Sequence, residues 1–303
     1  MNHDSSIKGH LACLTAYAIF GLNIIVSKDI MSAGTISPMA FFCLRSLGAG
    51  ALFWLASIFV PKEKVALNDL PKIFAASFTG FFLTQLSFLI GISHITPMDC
   101  SVMTSLSPIY TMFIAAIVLK EPITLKKAGG VVISFVGILF LIANSVSSGG
   151  GAAETKPIGV FMLFLNGFCF SVYLGVFKPV IMRYSAITFM KWIFLFSSLL
   201  SLPFSGAELF ATDYTSFSMK NNLEIAFVIF FSTFITYFLI PIGQKVLRPT
   251  LVSMYSYMQP IVATGISIYI GMDTLGFKKI IAAIAVFTGV ILVTYSRAAR
   301  KIN

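Results

Sequence analysis

Long apolar stretches without a charged residue follow one another along most of the chain, separated by short polar segments. A bilayer core takes about 20 helical residues, and several charge-free stretches are long enough to span it: Gly9–Ser27, Ile73–Met98, Ala128–Ala153, Pro157–Phe177, Ile225–Gln244 and Pro249–Met272. Together with the apolar stretches that carry a few charges, they predict ten transmembrane helices: Ile7–Val26, Met39–Val60, Pro71–Ile92, Met98–Leu119, Ala128–Asn144, Pro157–Met182, Thr188–Pro203, Leu223–Gln244, Leu251–Ile270 and Gly276–Tyr295. The predicted fold is an all-α integral membrane protein.

The second half of the chain repeats the first at a fixed offset of 152 residues. Pro97, Ser101, Pro108, Lys126 and Gly137 recur as Pro249, Ser253, Pro260, Lys278 and Gly289, and acidic Glu121 corresponds to acidic Asp273. Five spans per repeat place the second repeat upside down relative to the first. We therefore expect two inverted five-helix repeats around a central cavity. Their expected boundaries are residues 1–144 and 157–303, joined by a flexible tether, residues 145–156, rich in Ser and Gly.

Composition and charge narrow the class of protein. With 57% hydrophobic and 11% charged residues and a mean hydropathy of +0.93, a water-soluble domain is excluded. Basic residues favour cytoplasmic loops, and most of them fall on one side if both termini are cytoplasmic. The net charge of +10 is then explained by topology and by contact with anionic lipids, without a nucleic-acid partner. We expect the protein to lie in a bacterial inner membrane.

The cysteines show no metal-ligand or redox spacing. Cys13, Cys43, Cys100 and Cys169 all lie in or beside the predicted spans, and we interpret them as small apolar packing residues. Neither a metal nor a cofactor is expected.

Arg45 is the most informative single residue. A cation in the middle of a membrane helix costs at least ~2.5–3.5 kcal/mol, so it usually faces a cavity or a partner. The alternative is that it snorkels to the interface, because it lies about two turns from the end of its helix. Lys28 and Lys178 end their helices, which suits the helix dipole. Their recurrence in both halves also suggests a gating role.

Two prolines, Pro108 and Pro260, interrupt the fourth and ninth predicted helices near mid-membrane. Each frees a backbone carbonyl that water, a side chain or a ligand must satisfy, although a kink needed only for packing is the simpler interpretation. Polar residues beside these kinks and elsewhere in the apolar helices are the candidates for substrate binding: Asn23, Gln85, Ser105, Ser107, Tyr173, Tyr237, Tyr257 and Gln259. The alternative for each is a hydrogen bond between helices.

Several of these features resemble the drug/metabolite transporter superfamily, and within it the EamA-type ten-helix transporters. The resemblance lies in residues 20–28 of helix 1, in Pro38 followed by Arg45, in Ser107-Pro108 leading to Glu121, and in Gln259-Pro260 of the second half. It implies a pseudo-symmetric bundle of two repeats around a central cavity that moves small metabolites such as amino acids. Helix 6 departs from the pattern, since Ser171 and Tyr173 stand where helix 1 has Gly21 and Asn23.

The expected function is alternating-access transport of amino acids or related zwitterionic or anionic solutes. No Asp or Glu lies deep in a predicted span, which favours a facilitator or exchanger over a proton-coupled carrier; His94 and Asp99 are the residues to consider if coupling exists. A multidrug exporter and a non-transporting receptor or scaffold are the alternatives. An enzyme is not expected. Solute and membrane lipids are the expected partners, and a monomer is compatible with the sequence.

Overall fold

The computed structural model describes residues 3–34, 36–95, 100, 103–104, 106–145, 156–269 and 277–296. Every regular element in these ranges is helical, which confirms the predicted all-α class. Ser105, Asp99, Asp273 and most of the 145–156 tether lie outside the described residues.

Among the described residues, ten helical segments correspond in order to the ten predicted spans. They are α1 (His3–Ala33), α2 (Pro38–Ala56), α3 (Leu67–Ser93), α4 (Ser107–Val118), α5 (Leu125–Ser145), α6 (Pro157–Val176), α7 (Ala186–Ala211), α8 (Met219–Val246), α9 (residues 249–269) and α10 (Phe277–Thr294). Six of them, α1, α2, α3, α6, α7 and α8, are long and apolar enough to cross a membrane.

α1 continues past its predicted end at Val26 to Ala33, so Lys28 lies within the helix and does not end it as predicted. The other large differences from the sequence-based boundaries lie at two prolines. α7 continues past its predicted end at Pro203 to Ala211, so the connection to α8 covers only residues 212–218. The helix continues because its last two turns still bury Ser205, Gly206 and Leu209. α6 instead ends at Val176, before the predicted Met182, and a separate short helix covers Lys178–Ile181. Pro179 has no N–H to donate to the carbonyl of Gly175.

α3 and α8 each contain a stretch of π-helix that the periodicity did not predict. The two stretches, Phe78–Leu83 and Val228–Ile235, end at positions 152 residues apart. Threonine hydroxyls bond to carbonyls five residues earlier: Thr84 Oγ1 donates to Thr79 O at 2.6 Å, and Thr233 Oγ1 donates to Val228 O at 2.8 Å. π-Helical stretches are rare in proteins, but a large share of those that occur lie at functional sites.

Helix packing repeats with the same offsets as the sequence. α1 packs on α8 and α9, while α6 packs on α3 and α4; α2 packs on α7, and α5 on α10. Gly21 of α1 lies against the Gln259 carbonyl, and its counterpart Ser171 of α6 donates a hydrogen bond to the Ser107 carbonyl at 3.2 Å. Residues of α1 therefore correspond to residues of α6 150 positions later. Residues of α3 and α4 correspond to residues of α8 and α9 152 positions later.

Candidate functional site

A cavity lies at the centre of the bundle, between α1, α3, α4, α6, α8 and α9. It contains about 560 Å³ of atom-free space when open solvent at its mouth is included, of which the centre of a water-sized sphere can occupy about 60 Å³. Its wall mixes polar and apolar side chains: Tyr17, Phe20, Asn23, Ile24, Thr84, Gln85, Phe88, Thr104, Ser107, Asn166, Phe170, Tyr237, Ser256 and Gln259.

Four pairs of corresponding residues line this cavity. Three pairs, 152 positions apart, are Gln85 and Tyr237, Thr104 and Ser256, and Ser107 and Gln259; the fourth, 150 positions apart, is Phe20 and Phe170. Gln85 Nε2 donates to the Tyr237 hydroxyl at 2.8 Å. Residues that meet their own counterparts lie at the axis that relates the two halves. The cavity is therefore centred where the repeats meet.

Helix breaks bring the polar groups of α4 and α9 to the wall. α4 begins at Ser107 with Pro108 in its first turn, after a turn at Leu106. α9 is divided into Pro249–Met254, a 3₁₀ turn at Tyr255–Tyr257, and Met258–Tyr269. Pro260 thus also lies in a first turn, where its missing N–H leaves no intrahelical bond unmade.

Three polar atoms on the wall are buried without a hydrogen-bond partner. They are the Tyr17 hydroxyl, the side-chain amide oxygen Oε1 of Gln85 and the Ser256 hydroxyl. A buried polar group left unpaired costs about 1–3 kcal/mol, so a rearrangement of the wall that gives these atoms a partner would be favourable. Asn166, by contrast, donates through Nδ2 to Thr84 O at 2.7 Å.

The wall carries no charged side chain among the described residues that line it. Its polar groups are amides, hydroxyls and phenols, which both donate and accept hydrogen bonds. Moving a net charge into such a site would leave that charge without a counterion. The geometry therefore suits a solute without net charge.

The sequence-predicted residues divide into two groups. Asn23, Gln85, Ser107, Tyr237 and Gln259 line the cavity. The other described candidates for substrate binding lie outside its wall: Arg45, Tyr173 and Tyr257.

Each of these three has a different environment. Arg45 is fully buried, so it does not snorkel; its Nε donates to Thr233 Oγ1 at 3.1 Å, and both Nη atoms lack a partner. The Tyr257 hydroxyl donates to Val131 O on α5 at 3.4 Å. Tyr173 lies behind Phe170, with its ring against Gly80.

Lys28 and Lys178 make equivalent contacts. Lys28 Nζ donates to the carbonyls of Ile92 at 2.9 Å and Ile95 at 3.3 Å, at the end of α3. Lys178 Nζ donates to the carbonyl of Leu247, just past α8 and 152 residues after Ile95. Both lysines therefore bind helix C-terminal carbonyls, where a cation is favourable. Each contact joins two helices of the same repeat.

Sequence reasoning did not single out several wall residues. Thr104 and Ser256 were detectable, because they are polar residues at the repeat offset. Tyr17, Phe20 and Ile24 share one face of α1 with i, i+3 and i+7 spacing, a pattern that equally indicates simple packing. Thr84, Phe88 and Phe170 carried no distinguishing signal.

Comparisons with known proteins agree with this architecture. A model of the EamA-like transporter family matches residues 7–143 and, separately, residues 157–295. A solved structure described only as the crystal structure of a protein has the same fold, with a TM-score of 0.74 at 15% identity over 97% of both chains.

The chain is also similar to proteins named as uncharacterized transporters. One from Archaeoglobus fulgidus is 28% identical over 67% of this chain and 68% of its own length. In Bacillus subtilis, YetK is 25% identical over 75% of this chain and 68% of its own, and YyaM is 23% identical over 86% and 85%. Because the family match covers both halves, this integral membrane protein belongs to the EamA-like transporter family.

Proposed function

We propose that the protein is an alternating-access transporter that carries a small polar organic solute through the central cavity. The observation that carries the proposal is the pairing of corresponding residues around one cavity with unpartnered polar atoms in its wall. Two related halves that enclose one site exchange roles to open it to each side in turn. We also propose the boundaries 1–144 and 157–303 for these halves, and cytoplasmic termini in a bacterial inner membrane.

The proposed solute class is a net-neutral metabolite, with an amino acid in its zwitterionic form first. Gln85, Tyr237 and Gln259 offer donors and acceptors to both ends of such a molecule, and Phe20 and Phe170 offer aromatic surface to an organic side chain. A solute with a net negative charge fits the cavity less well, because Arg45, the cation that would pair with it, lies outside the cavity wall. A multidrug exporter of hydrophobic cations would be favoured by a carboxylate, which the described wall lacks.

The proposed energetics are downhill transport or exchange. A proton-coupled carrier needs a titratable group that the solute and the proton share, and no carboxylate or histidine is among the described residues of the wall. A chemical reaction is not part of the proposal, since the family is one of transporters.

A thermal-shift screen of the purified protein tests the solute class. A ligand that binds only the folded state raises the melting temperature by mass action. We expect neutral amino acids to raise it, and organic anions or lipophilic cations of similar size to leave it unchanged. A shift with lipophilic cations alone would support the multidrug alternative.

Flux in proteoliposomes then separates a transporter from a receptor or scaffold. A solute that stabilises the protein should also cross the membrane down its gradient. Stabilisation without flux would contradict transport and support a receptor.

A further inference from the structure

The cavity is asymmetric with respect to the two repeats. Asn23, Ile24 and Phe88 line it, whereas their counterparts Tyr173, Leu174 and Ile240 do not. These three counterparts are packed solidly, with exposed fractions of 1%, 0% and 0%. We call the two ends of the bundle the Lys28 end and the Lys178 end, after the lysines that lie there.

The asymmetry has a direction. Asn23 and Ile24 precede Lys28 by about one turn, and Phe88 precedes Ile92, whose carbonyl binds Lys28, by one turn. Tyr173 and Leu174 precede Lys178 by one turn in the same way. The cavity therefore extends toward the Lys28 end and is filled at the corresponding place toward the Lys178 end.

Tyr173 is the residue that fills this space. Its ring stacks on Phe170, a wall residue, with centroids 5.8 Å apart and planes 25° apart. On its other side it lies on Gly80 in the π-helical stretch of α3, where a Cβ atom would overlap the ring. The counterpart of Tyr173 is the much smaller Asn23, and the counterpart of Gly80 is Ser232. A large ring on a glycine thus occupies the place that stays open at the other end.

The hydroxyl of Tyr173 has no partner in this arrangement. It is fully buried, and no hydrogen bond reaches it. An unpaired buried hydroxyl disfavours the conformation that contains it. Movement of the Tyr173 ring into the cavity would give its hydroxyl access to water or solute.

We propose that Tyr173, seated on Gly80, is the barrier between the central cavity and the Lys178 end. Opening of the cavity toward that end requires the ring to leave Gly80. The proposal rests on the alternating-access function and assigns one of its two gates to named residues. Because the Tyr173 hydroxyl is unpaired in the closed conformation, that conformation is destabilised relative to one in which the hydroxyl has a partner.

Cysteine accessibility tests the barrier without measuring transport. The reporter is Ser256→Cys in a background without Cys13, Cys43, Cys100 and Cys169, labelled by an impermeant thiol reagent from each face of oriented vesicles. Lys62→Cys, in the connection between α2 and α3, identifies the face of the Lys178 end. In the parent background we expect labelling of the reporter from the Lys28 face and protection from the Lys178 face.

Removal of the ring should open the protected side. Tyr173→Ala should raise the labelling rate from the Lys178 face by about tenfold or more, because a rare open state becomes a common one. Tyr110→Ala is the matched control, since Tyr110 lies against Gly167 of the same helix but does not touch Gly80. It should leave the labelling rate from the Lys178 face unchanged.

A second variant perturbs the barrier while keeping the ring. Gly80→Ala should displace Tyr173 and raise the same labelling rate, whereas Gly129→Ala, with open space at its Cβ position, should not. Unchanged protection in both Tyr173→Ala and Gly80→Ala, at retained folding, would overturn the proposal, as would equal labelling of the parent from both faces. Solute flux measured in parallel separates the two ideas: flux with unchanged protection refutes the barrier alone, and absence of flux refutes the transport function.

Discussion

At the scale of single residues, the polar groups deep in apolar helices divide between the cavity wall and contacts among helices, and this division depends on neighbours that a sequence does not show. Gln85, Tyr237 and Gln259 reach the cavity. Arg45 is as buried as any of them, yet its guanidinium meets Thr233 of α8 instead. Burial of a polar residue is predictable from its helix, whereas the side of the helix that meets the cavity is set by packing.

Arg45 is expected to affect solute binding little. Arg45→Met keeps the length of the side chain and removes a buried cation with two unpaired Nη atoms, so the melting temperature should stay equal or rise. The KM for the transported solute should change by less than about twofold, because Arg45 lies outside the cavity wall and its replacement removes no contact with the solute. A large rise in KM at unchanged stability would place Arg45 in the binding site.

At the scale of helices, the presence and order of the helices were predictable from the long hydrophobic stretches. Local irregularities within the helices were not. The π-helical stretches of α3 and α8 have the same largely apolar composition as ordinary helix, and the 3₁₀ turn Tyr255–Tyr257 of α9 contains neither a glycine nor a proline that would mark a break. Pro203 stays inside α7 although Pro179 ends α6, since the packing of the following residues decides whether a helix continues. These irregularities orient Gln85, Tyr237 and Ser256, so the exact shape of the site could not be read from the sequence.

The contact between α5 and α10 depends on glycine. A Cβ atom on Gly130 would lie 2.6 Å from the Gly289 carbonyl oxygen, whereas one on the adjacent Gly129 would meet open space. Gly130→Leu should therefore destabilise the protein by about 1–3 kcal/mol or more through overpacking, seen as a lower melting temperature in detergent. Gly129→Leu is the control and should stay within about 0.5 kcal/mol. Equal effects of the two variants would contradict this packing.

At the scale of the whole molecule, the repeat was the decisive sequence feature. It predicted both halves, and their packing follows the same offsets. It did not predict that the cavity extends toward one end, because that difference arises from single unequal pairs such as Asn23 and Tyr173.

Topology is a property of the whole chain and has its own test. Glu63 accepts a hydrogen bond from the Ser185 backbone N–H at 2.9 Å, which places both connections at the Lys178 end, while Asp213 lies between α7 and α8 at the other end. With cytoplasmic termini, a cysteine near Asp213 or within residues 147–153 should react with an impermeant reagent in intact cells. A cysteine near Glu63 should react only after permeabilisation. The reverse pattern would invert the orientation.

The central claim is that solute crosses the membrane through the neutral cavity where the repeats meet. Its most direct test is uptake into proteoliposomes of the solute that emerges from the thermal-shift screen, with parent, Gln85→Ala and Gln244→Ala compared at matched reconstitution. Gln244 is a suitable control because it is a buried glutamine of α8 outside the cavity wall.

We predict downhill uptake by the parent that does not require a proton gradient. Gln85→Ala should lower uptake by about fivefold or more, since loss of the Gln85 amide as a partner for the solute and for the Tyr237 hydroxyl costs about 1–3 kcal/mol, while Gln244→Ala should retain most of it. Equal uptake by Gln85→Ala and the parent, or uptake only under an imposed proton gradient, would contradict the account.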